Sequence, residues 1–326
     1  MEGLRREMGR LQARTDDEGL KEFSEVSSEL GRGWRRICST EEQNQDLLRP
    51  ITDEEIRLAV FFQHPDKSLR IDDMSPAFSQ RYWEVIKSDL CASVRSCRET
   101  GEFPPQMLDT LITLVSKKAR PMMISDFRPI SFSNVFNKIV AKVIASRLKK
   151  VLPNLISENQ SAFVENRLIR DNIMISFEIM HFLSRKKQGK EGLVALKLNM
   201  SKAYDRVEWL FLEKVMLSLG FCEQFVQLVM ACVRGVRYFV SQEGQLLGPI
   251  NPSRVLRQGD PLLPYLFISC ADWLSFAIQE KANRGEIHGV KISRSAPTIT
   301  HLLFADDSLF FFKANMLELG HIKSVL

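Results

Sequence analysis

Leu302-Leu303-Phe304-Ala305-Asp306-Asp307-Ser308-Leu309-Phe310-Phe311-Phe312 sets two acids between two apolar runs. Each run has the length and composition of a strand, so the segment reads as a hairpin with Asp306 and Asp307 at its tip. Adjacent carboxylates repel, and beside apolar neighbours they lose hydration, so the arrangement costs stability. Such a cost often accompanies divalent-cation binding, because hard Mg2+ prefers carboxylate oxygen. Taken alone, the fragment fits a plain Asp-Asp turn equally well. The rest of the chain decides between the two.

With 326 residues, 44% of them hydrophobic, the chain can bury a sizeable core. A net charge of +5 permits a polyanionic partner without requiring one. No stretch reaches the roughly 18–20 uncharged apolar residues of a membrane span. The start, Met1-Glu2-Gly3-Leu4-Arg5-Arg6, lacks the apolar centre of a secretory signal. The cysteines Cys38, Cys91, Cys97, Cys222, Cys232 and Cys270 form no C-x-x-C pair. These features suit a reducing intracellular setting, nucleus or cytoplasm, and speak against metal knuckles, a disulfide framework and secretion.

Residues 1–50 are charge-dense and read as a charged helical tether. Thr52-Asp53-Glu54-Glu55 is a capping box that opens a helical segment, assigned with its neighbours to residues 51–103. Within it, residues 66–76 read as a loop and a helix is expected around Gln80–Arg98. Leu111–Val115 reads as a short strand, and Pro129 biases Arg128 toward an extended backbone. Asn137–Leu152 carries an apolar face of Ile139, Val140, Val143, Ile144, Leu148 and Val151. Lys138, Lys142, Arg147, Lys149 and Lys150 lie elsewhere around it, as a solvated surface or a phosphate contact. A helix over Asn172–Phe182, a charged surface turn over Arg185–Glu191, a buried strand over Leu193–Leu198 and a helix over Trp209–Leu219 stopped by Gly220 follow. Tyr238–Gln242 and Gln245–Ile250 bracket Glu243-Gly244 as a hairpin, and Pro264–Ala282 reads as an apolar helix. The irregular order of strands and helices gives an α+β class.

Context now bears on the acid pair. Leu302-Leu303-Phe304-Ala305-Asp306-Asp307 resembles the Phe-Ala-Asp-Asp motif of non-LTR reverse transcriptases. Arg257-Gln258-Gly259-Asp260-Pro261-Leu262 resembles the same family's second palm motif, and the run Lys197-Leu198-Asn199-Met200-Ser201-Lys202-Ala203-Tyr204-Asp205-Arg206-Val207-Glu208-Trp209 its first. Asp126-Phe127-Arg128-Pro129-Ile130-Ser131 and Gln160-Ser161-Ala162-Phe163-Val164, with Asp171-Asn172, match its fingers region. Five motifs in the family's order cover residues 50–315 or so, and the match is nearest to the LINE-type elements abundant in plant genomes.

The resemblance implies a right-hand polymerase, with fingers over residues 104–190 and a palm, built on an antiparallel sheet, over residues 191–326. It implies nucleotidyl transfer with two Mg2+ ions, on an RNA template and a DNA primer, using deoxynucleoside triphosphates. Asp306 and Asp307 match the metal-binding hairpin. Tyr204 matches the aromatic gate under the nucleotide sugar, and Gln258 and Gly259 match nucleotide-contacting positions. Arg128, Lys117 and Lys118 are candidates for triphosphate contact, with a plain surface role equally open for the two lysines. Arg257 is either structural or a template contact. Membrane partners are not expected, and nothing in the sequence points to an oligomer.

The chain departs from the pattern where it matters most. The first palm motif should supply an aspartate at the end of the strand over Leu193–Leu198, and position 199 holds asparagine. Asparagine keeps one carbonyl oxygen and loses the charge. Asp205 belongs to the next turn and is a separate position. Asp72 and Met74 survive in a loop whose turn formers have become Leu69, Arg70, Ile71 and Asp73; Leu263 stands for a serine, and Glu165-Asn166 for a Pro-Gly pair. A thumb, which follows the palm in the family, is expected to be missing. Polymerase activity is therefore expected to be weak or lost; alternatives are a non-catalytic nucleic-acid-binding remnant or an inert pseudogene product.

Overall fold

A computed structural model describes residues 38–65, 75–104, 106–123, 126–186, 191–200, 202–242 and 245–326. Most of the tether, the loop over 66–74, part of the 185–191 turn and the Glu243-Gly244 turn lie outside these. Helices α1 (Glu41–Leu48), α2 (Asp53–Phe61), α3 (Pro76–Arg81) and α4 (Trp83–Thr100) come first, then strands β1 (Asp109–Ser116) and β2 (Phe127–Ser133). Helices α5 (Val135–Leu155) and α6 (Ile169–Arg185), strand β3 (Leu193–Asn199) and a 3-10 turn at Ala203–Asp205 follow. Next are α7 (Trp209–Ser218), α8 (Glu223–Arg234), β4 (Arg237–Gln242), β5 (Gln245–Ile250) and α9 (Leu263–Asn283). Strands β6 (His301–Phe304) and β7 (Asp307–Lys313) and helix α10 (Met316–Lys323) end the chain. Two compact units are present: one holds Leu152–Ala203 and Phe267–Leu326, the other Ser39–Val151 and Tyr204–Leu266.

The first unit is built on an antiparallel sheet of order β3-β7-β6. Phe310, Phe311 and Phe312 are all fully buried, although successive strand residues point to opposite faces. Both faces are covered. Phe310 and Phe312 pack with Leu196, Leu198, Leu274, Ile278, Leu319 and Ile322, while Phe311 packs with Leu302, Val290 and Ile179 of α6. Strand β3, expected to be buried throughout, is half-buried: Leu196 and Leu198 are inside, and Lys197 and Asn199 are exposed. It lies at the sheet edge, so its open end can carry polar groups.

The second unit holds a four-stranded sheet of order β2-β1-β4-β5. Strands β1 and β2 pair antiparallel, as do β4 and β5, but β1 and β4 run parallel, so this sheet is mixed rather than antiparallel. The capping box at Thr52 forms as expected. The single helix expected around Gln80–Arg98 is two helices, α3 and α4, meeting at Tyr82. Helix α5 is buried on most sides, and its cations do not form one solvated face. Arg147 is buried and donates to both Glu55 oxygens and to the carbonyls of Leu47, Arg49 and Pro50. Burial raises the Glu55 carboxyl, but Arg147 and the Thr52 amide overcome that and hold it at about 2. The Lys142 ammonium stands 3.3 Å from the Phe62 ring centroid. Residues 39–50, read as tether, also pack: Leu47 is buried, and the Asn44 side chain bonds Gly220 O and Cys222 N. Charge density hid them, because the anchoring groups are polar.

A buried polar chain supports the start of β6. Asp272 of α9 accepts from the Ser157 amide (3.0 Å) and hydroxyl (2.5 Å). The Ser157 hydroxyl meets Ser275 at 2.8 Å, and Ser275 meets His301 Nε2 at 2.6 Å. Asn159 Nδ2 also reaches His301 Nε2, and Thr300 Oγ1 lies 2.9 Å from Nδ1. Burial raises Asp272 to about 6, against the hydrogen bonds of Ser157 and the charge of Arg167, and lowers His301 to about 4. The two shifts act on stability with opposite signs. The folded Asp272 holds its proton more tightly than the unfolded chain does, so its contribution is lost as pH rises through about 6. The folded His301 resists protonation, so its contribution is lost as pH falls from 6.5 toward 4. Between pH 4 and 6 they offset. Thermal unfolding of Asp272→Asn, which keeps the accepting oxygen, should therefore show a steeper loss of stability on acidification than the parent. His301→Asn should show a shallower one, each difference amounting to on the order of 2 kcal/mol across the window. Parallel pH profiles for all three chains would contradict this reading.

Candidate active site

The register of β3 against β7 sets Asn199 opposite Asp307, and that of β6 against β7 sets Phe304 opposite Asp307. Ala305 and Asp306 therefore form a two-residue turn. Ala305 has φ +53°, the left-handed conformation that such turns demand and that costs a residue with a Cβ about 1 kcal/mol. The Met200 amide donates to the Asp306 carbonyl at 3.1 Å and ties the end of β3 to the turn. Asn199, Asp306 and Asp307 thus gather at one end of the antiparallel sheet, each at least partly exposed.

Asp307 is already engaged. Asn199 Nδ2 donates to Asp307 Oδ1 at 3.3 Å, and Lys197 Nζ stands at 3.3 Å from the same oxygen. One carboxylate oxygen is thus met by an amide N–H and an ammonium. Among the described residues, no three His, Cys, Asp or Glu side chains come together as a metal-binding group. Sequence reasoning missed Lys197. Its place in the first palm motif was plain, but its reach to Asp307 depends on the strand register.

Tyr204, Gln258 and Gly259 belong to the second unit. The Tyr204 carbonyl accepts from the Leu256 amide at 3.0 Å, and Val207 from Val255 at 3.2 Å, so the 3-10 turn lies beside the segment leading into Arg257. Trp209 Nε1 adds a bond to the Val255 carbonyl at 3.0 Å. Gly259 has φ +93°, and a Cβ there would meet Ser131 O at an ordinary 3.6 Å. Conformation, not space, therefore demands glycine at this position. Gln258 is half-buried.

Of the two roles left open for Arg257, burial favours the structural one. It is 6% exposed, pairs with Asp260 at 2.8 Å and donates to Cys232 O at 2.9 Å, with the Asn137 amide oxygen facing its guanidinium. These bonds brace the loop that carries Gln258 and Gly259. Arg128, Lys117 and Lys118 are exposed on the β1–β2 hairpin. Lys118 pairs with Asp126 at 2.8 Å and, with the Met122 and Met123 amides, holds that carboxyl below its usual range. Lys118 is thus partly committed to the hairpin, whereas Arg128 sits on β2 facing solvent.

The Gln160–Val164 stretch and Asn172 have a structural consequence that the sequence did not reveal. Leu303 of β6 donates to Asn159 O at 2.8 Å and accepts from the Ser161 amide at 3.2 Å and from Asn172 Nδ2 at 2.9 Å. Gln160 Oε1 accepts from the Ala305 amide at 3.1 Å and the Ala162 amide at 2.9 Å. The Gln160–Val164 motif and Asn172 are therefore fastened to the outer edge of the acid hairpin.

Residues 115–326 match the family model described as reverse transcriptase (RNA-dependent DNA polymerase). The chain is 30% identical over 228 residues to the transposon TX1 uncharacterized 149 kDa protein of Xenopus laevis, covering 70% of this chain and 17% of that protein. It is 24% identical over 267 residues to the retrovirus-related Pol polyprotein from type-1 retrotransposable element R2 of Nasonia vitripennis, covering 81% of this chain and 24% of that protein. A 61-residue stretch is 51% identical to an uncharacterized mitochondrial protein of Arabidopsis thaliana, covering 19% of this chain and 50% of that protein. The chain thus spans between about a sixth and a half of the length of these relatives. The family match covers more than half of the chain and includes both the β3 end and the acid hairpin. The chain belongs to the reverse transcriptase (RNA-dependent DNA polymerase) family, as a reverse transcriptase domain of the non-LTR retrotransposon kind.

Proposed function

We propose that this chain is the reverse transcriptase domain of a LINE-type element in which Asn199 has disabled metal-dependent nucleotidyl transfer. Members of the family are metal-dependent, generally using Mg2+, and act with a nucleic-acid template and deoxynucleoside triphosphates. The observation that carries the proposal is the pairing of Asn199 with Asp307. At the strand position where the resemblance calls for a carboxylate, an amide N–H stands 3.3 Å from Asp307 Oδ1, beside the Lys197 ammonium. That donor set does not fit two divalent cations. Two carboxylates remain, and one of them already satisfies a cation and an N–H donor.

The finer assignments rest on motif position. In this reading the right-hand arrangement applies, with fingers over residues 104–190 and palm over 191–326. Tyr204 gates the nucleotide sugar, and Gln258 and Gly259 contact the nucleotide, the latter supported by its positive φ. Arg128 meets the triphosphate, with Lys117 and Lys118 beside it on the same hairpin. An RNA template and a DNA primer are the partners, and the setting is intracellular. The stretch shared with the Arabidopsis protein favours a plant element. No described helix is long and apolar enough to cross a membrane.

Incorporation of a labelled deoxynucleotide on a primed RNA template with Mg2+ tests the proposal, with Asp306→Ala as background. Loss of one unit charge about 4 Å from a cation weighs about 4 kcal/mol at an effective dielectric of about 20. If that sum is lost from the transition state, the rate falls by roughly three orders of magnitude. The unmodified chain should stay near background, and Asn199→Asp should raise incorporation more than any other single substitution. Robust incorporation by the unmodified chain, abolished by Asp306→Ala, would overturn the proposal.

A further inference from the structure

We infer that Gln160 is a positioning residue for the acid turn: its buried side-chain oxygen holds the Ala305 amide and so fixes where Asp306 and Asp307 are presented. The inference rests on the reading of these acids given above, but the geometry beneath it is independent of metal.

A glutamine is a poor choice for the place it occupies. Gln160 is 0% exposed, and its Nε2 is buried without a hydrogen-bond partner among the described residues. Leaving a buried donor unmet is unfavourable, and an apolar side chain of similar shape would avoid it. The gain lies at the other end of the amide. Oε1 accepts from Ala162 N at 2.9 Å within its own loop and from Ala305 N at 3.1 Å in the turn. Ala305 is in the left-handed conformation and, as the first residue of a two-residue turn, lies just beyond the β6–β7 ladder that ends at Phe304 and Asp307. A single oxygen thus links the loop to the strained residue directly before Asp306.

Neighbouring bonds give that oxygen a fixed place. Gln160 forms a parallel bridge with Leu303, flanked by the Leu303–Asn159 and Ser161–Leu303 backbone bonds. Asn172 adds its amide to the Leu303 carbonyl, and Arg167 clamps the loop through the carbonyls of Ile156 and Gln160, each at 2.8 Å. On the opposite side, Met200 holds the Asp306 carbonyl. The turn is therefore held from both sides, by β3 and by the Gln160 loop. A merely space-filling glutamine would need neither of its two accepted bonds.

Amide hydrogen exchange on the full chain, resolved residue by residue by NMR, tests this. In the unmodified chain Ala305 N–H should exchange as slowly as the ladder amides of Leu196 and Phe312, although it lies in a turn. Gln160→Met, similar in shape but without an acceptor, should speed Ala305 exchange by about tenfold or more while the ladder amides keep their rates. Gln160→Glu retains an accepting oxygen and should recover the protection. In the Asn199→Asp background, with Mn2+ as the probe, Gln160→Met should weaken ion binding by about tenfold and Gln160→Glu should restore part of it. Should Gln160→Met fail to fold, the unmodified chain still decides the matter: Ala305 exchange at the rate of an open turn would overturn the inference. So would an unchanged Ala305 rate in a folded Gln160→Met chain. Absence of Mn2+ binding in Asn199→Asp with Gln160 intact would instead count against the metal-site reading, with the Ala305 rates still deciding the role of Gln160.

Discussion

The antiparallel pairing of β3 with β7 determines what stands beside Asp307, and the pairing is itself fixed by burial on both sheet faces. Phe310 and Phe312 pack into one layer with Leu196 and Leu198, and Phe311 into the other with Ile179. A slip of one residue would exchange the faces of every strand side chain, so the register is strongly specified. Position 199 is therefore held against Asp307, whichever residue occupies it. In this chain an intact core holds an amide, not a carboxylate, at that position.

Asparagine is a conservative replacement in shape and a severe one in charge. Its amide takes up the Asp307 oxygen without disturbing β3, and Lys197 joins at the same oxygen. Removing a repulsive carboxylate neighbour relaxes the cluster, which is the reverse of what cation binding needs: negative charges held close at the expense of stability. This accounts for a well-formed hairpin beside a depleted donor set. The other departures, at Glu165-Asn166 and Leu263, lie at positions where the surrounding elements still form.

Much of this was legible from the sequence because its elements carry local signals. The Thr52 capping box, the β4–β5 hairpin, the long helices and the acid turn all follow from periodicity or caps. What was not legible depends on distant partners. The parallel pairing of β1 with β4 joins residues more than a hundred positions apart. Arg147 looked like one cation on a basic face until Glu55 and three carbonyls enclosed it. Helix α1 looked like tether because polar groups, Asn44 above all, anchor it. At the site, the motifs located Asn199, Asp306 and Asp307, but the grip of Lys197 on Asp307 and of Gln160 on Ala305 exists only once the strands are in register.

The central claim is that one missing carboxylate at position 199, within an otherwise formed hairpin, is what denies this chain its metal ions. Calorimetric titration with Mg2+, repeated with Mn2+, on the unmodified chain and on Asn199→Asp measures this without substrate or polymerisation. The account predicts no specific binding heat for the unmodified chain and a saturable signal for Asn199→Asp that Asp306→Ala abolishes. Equal saturable binding by both chains would contradict it.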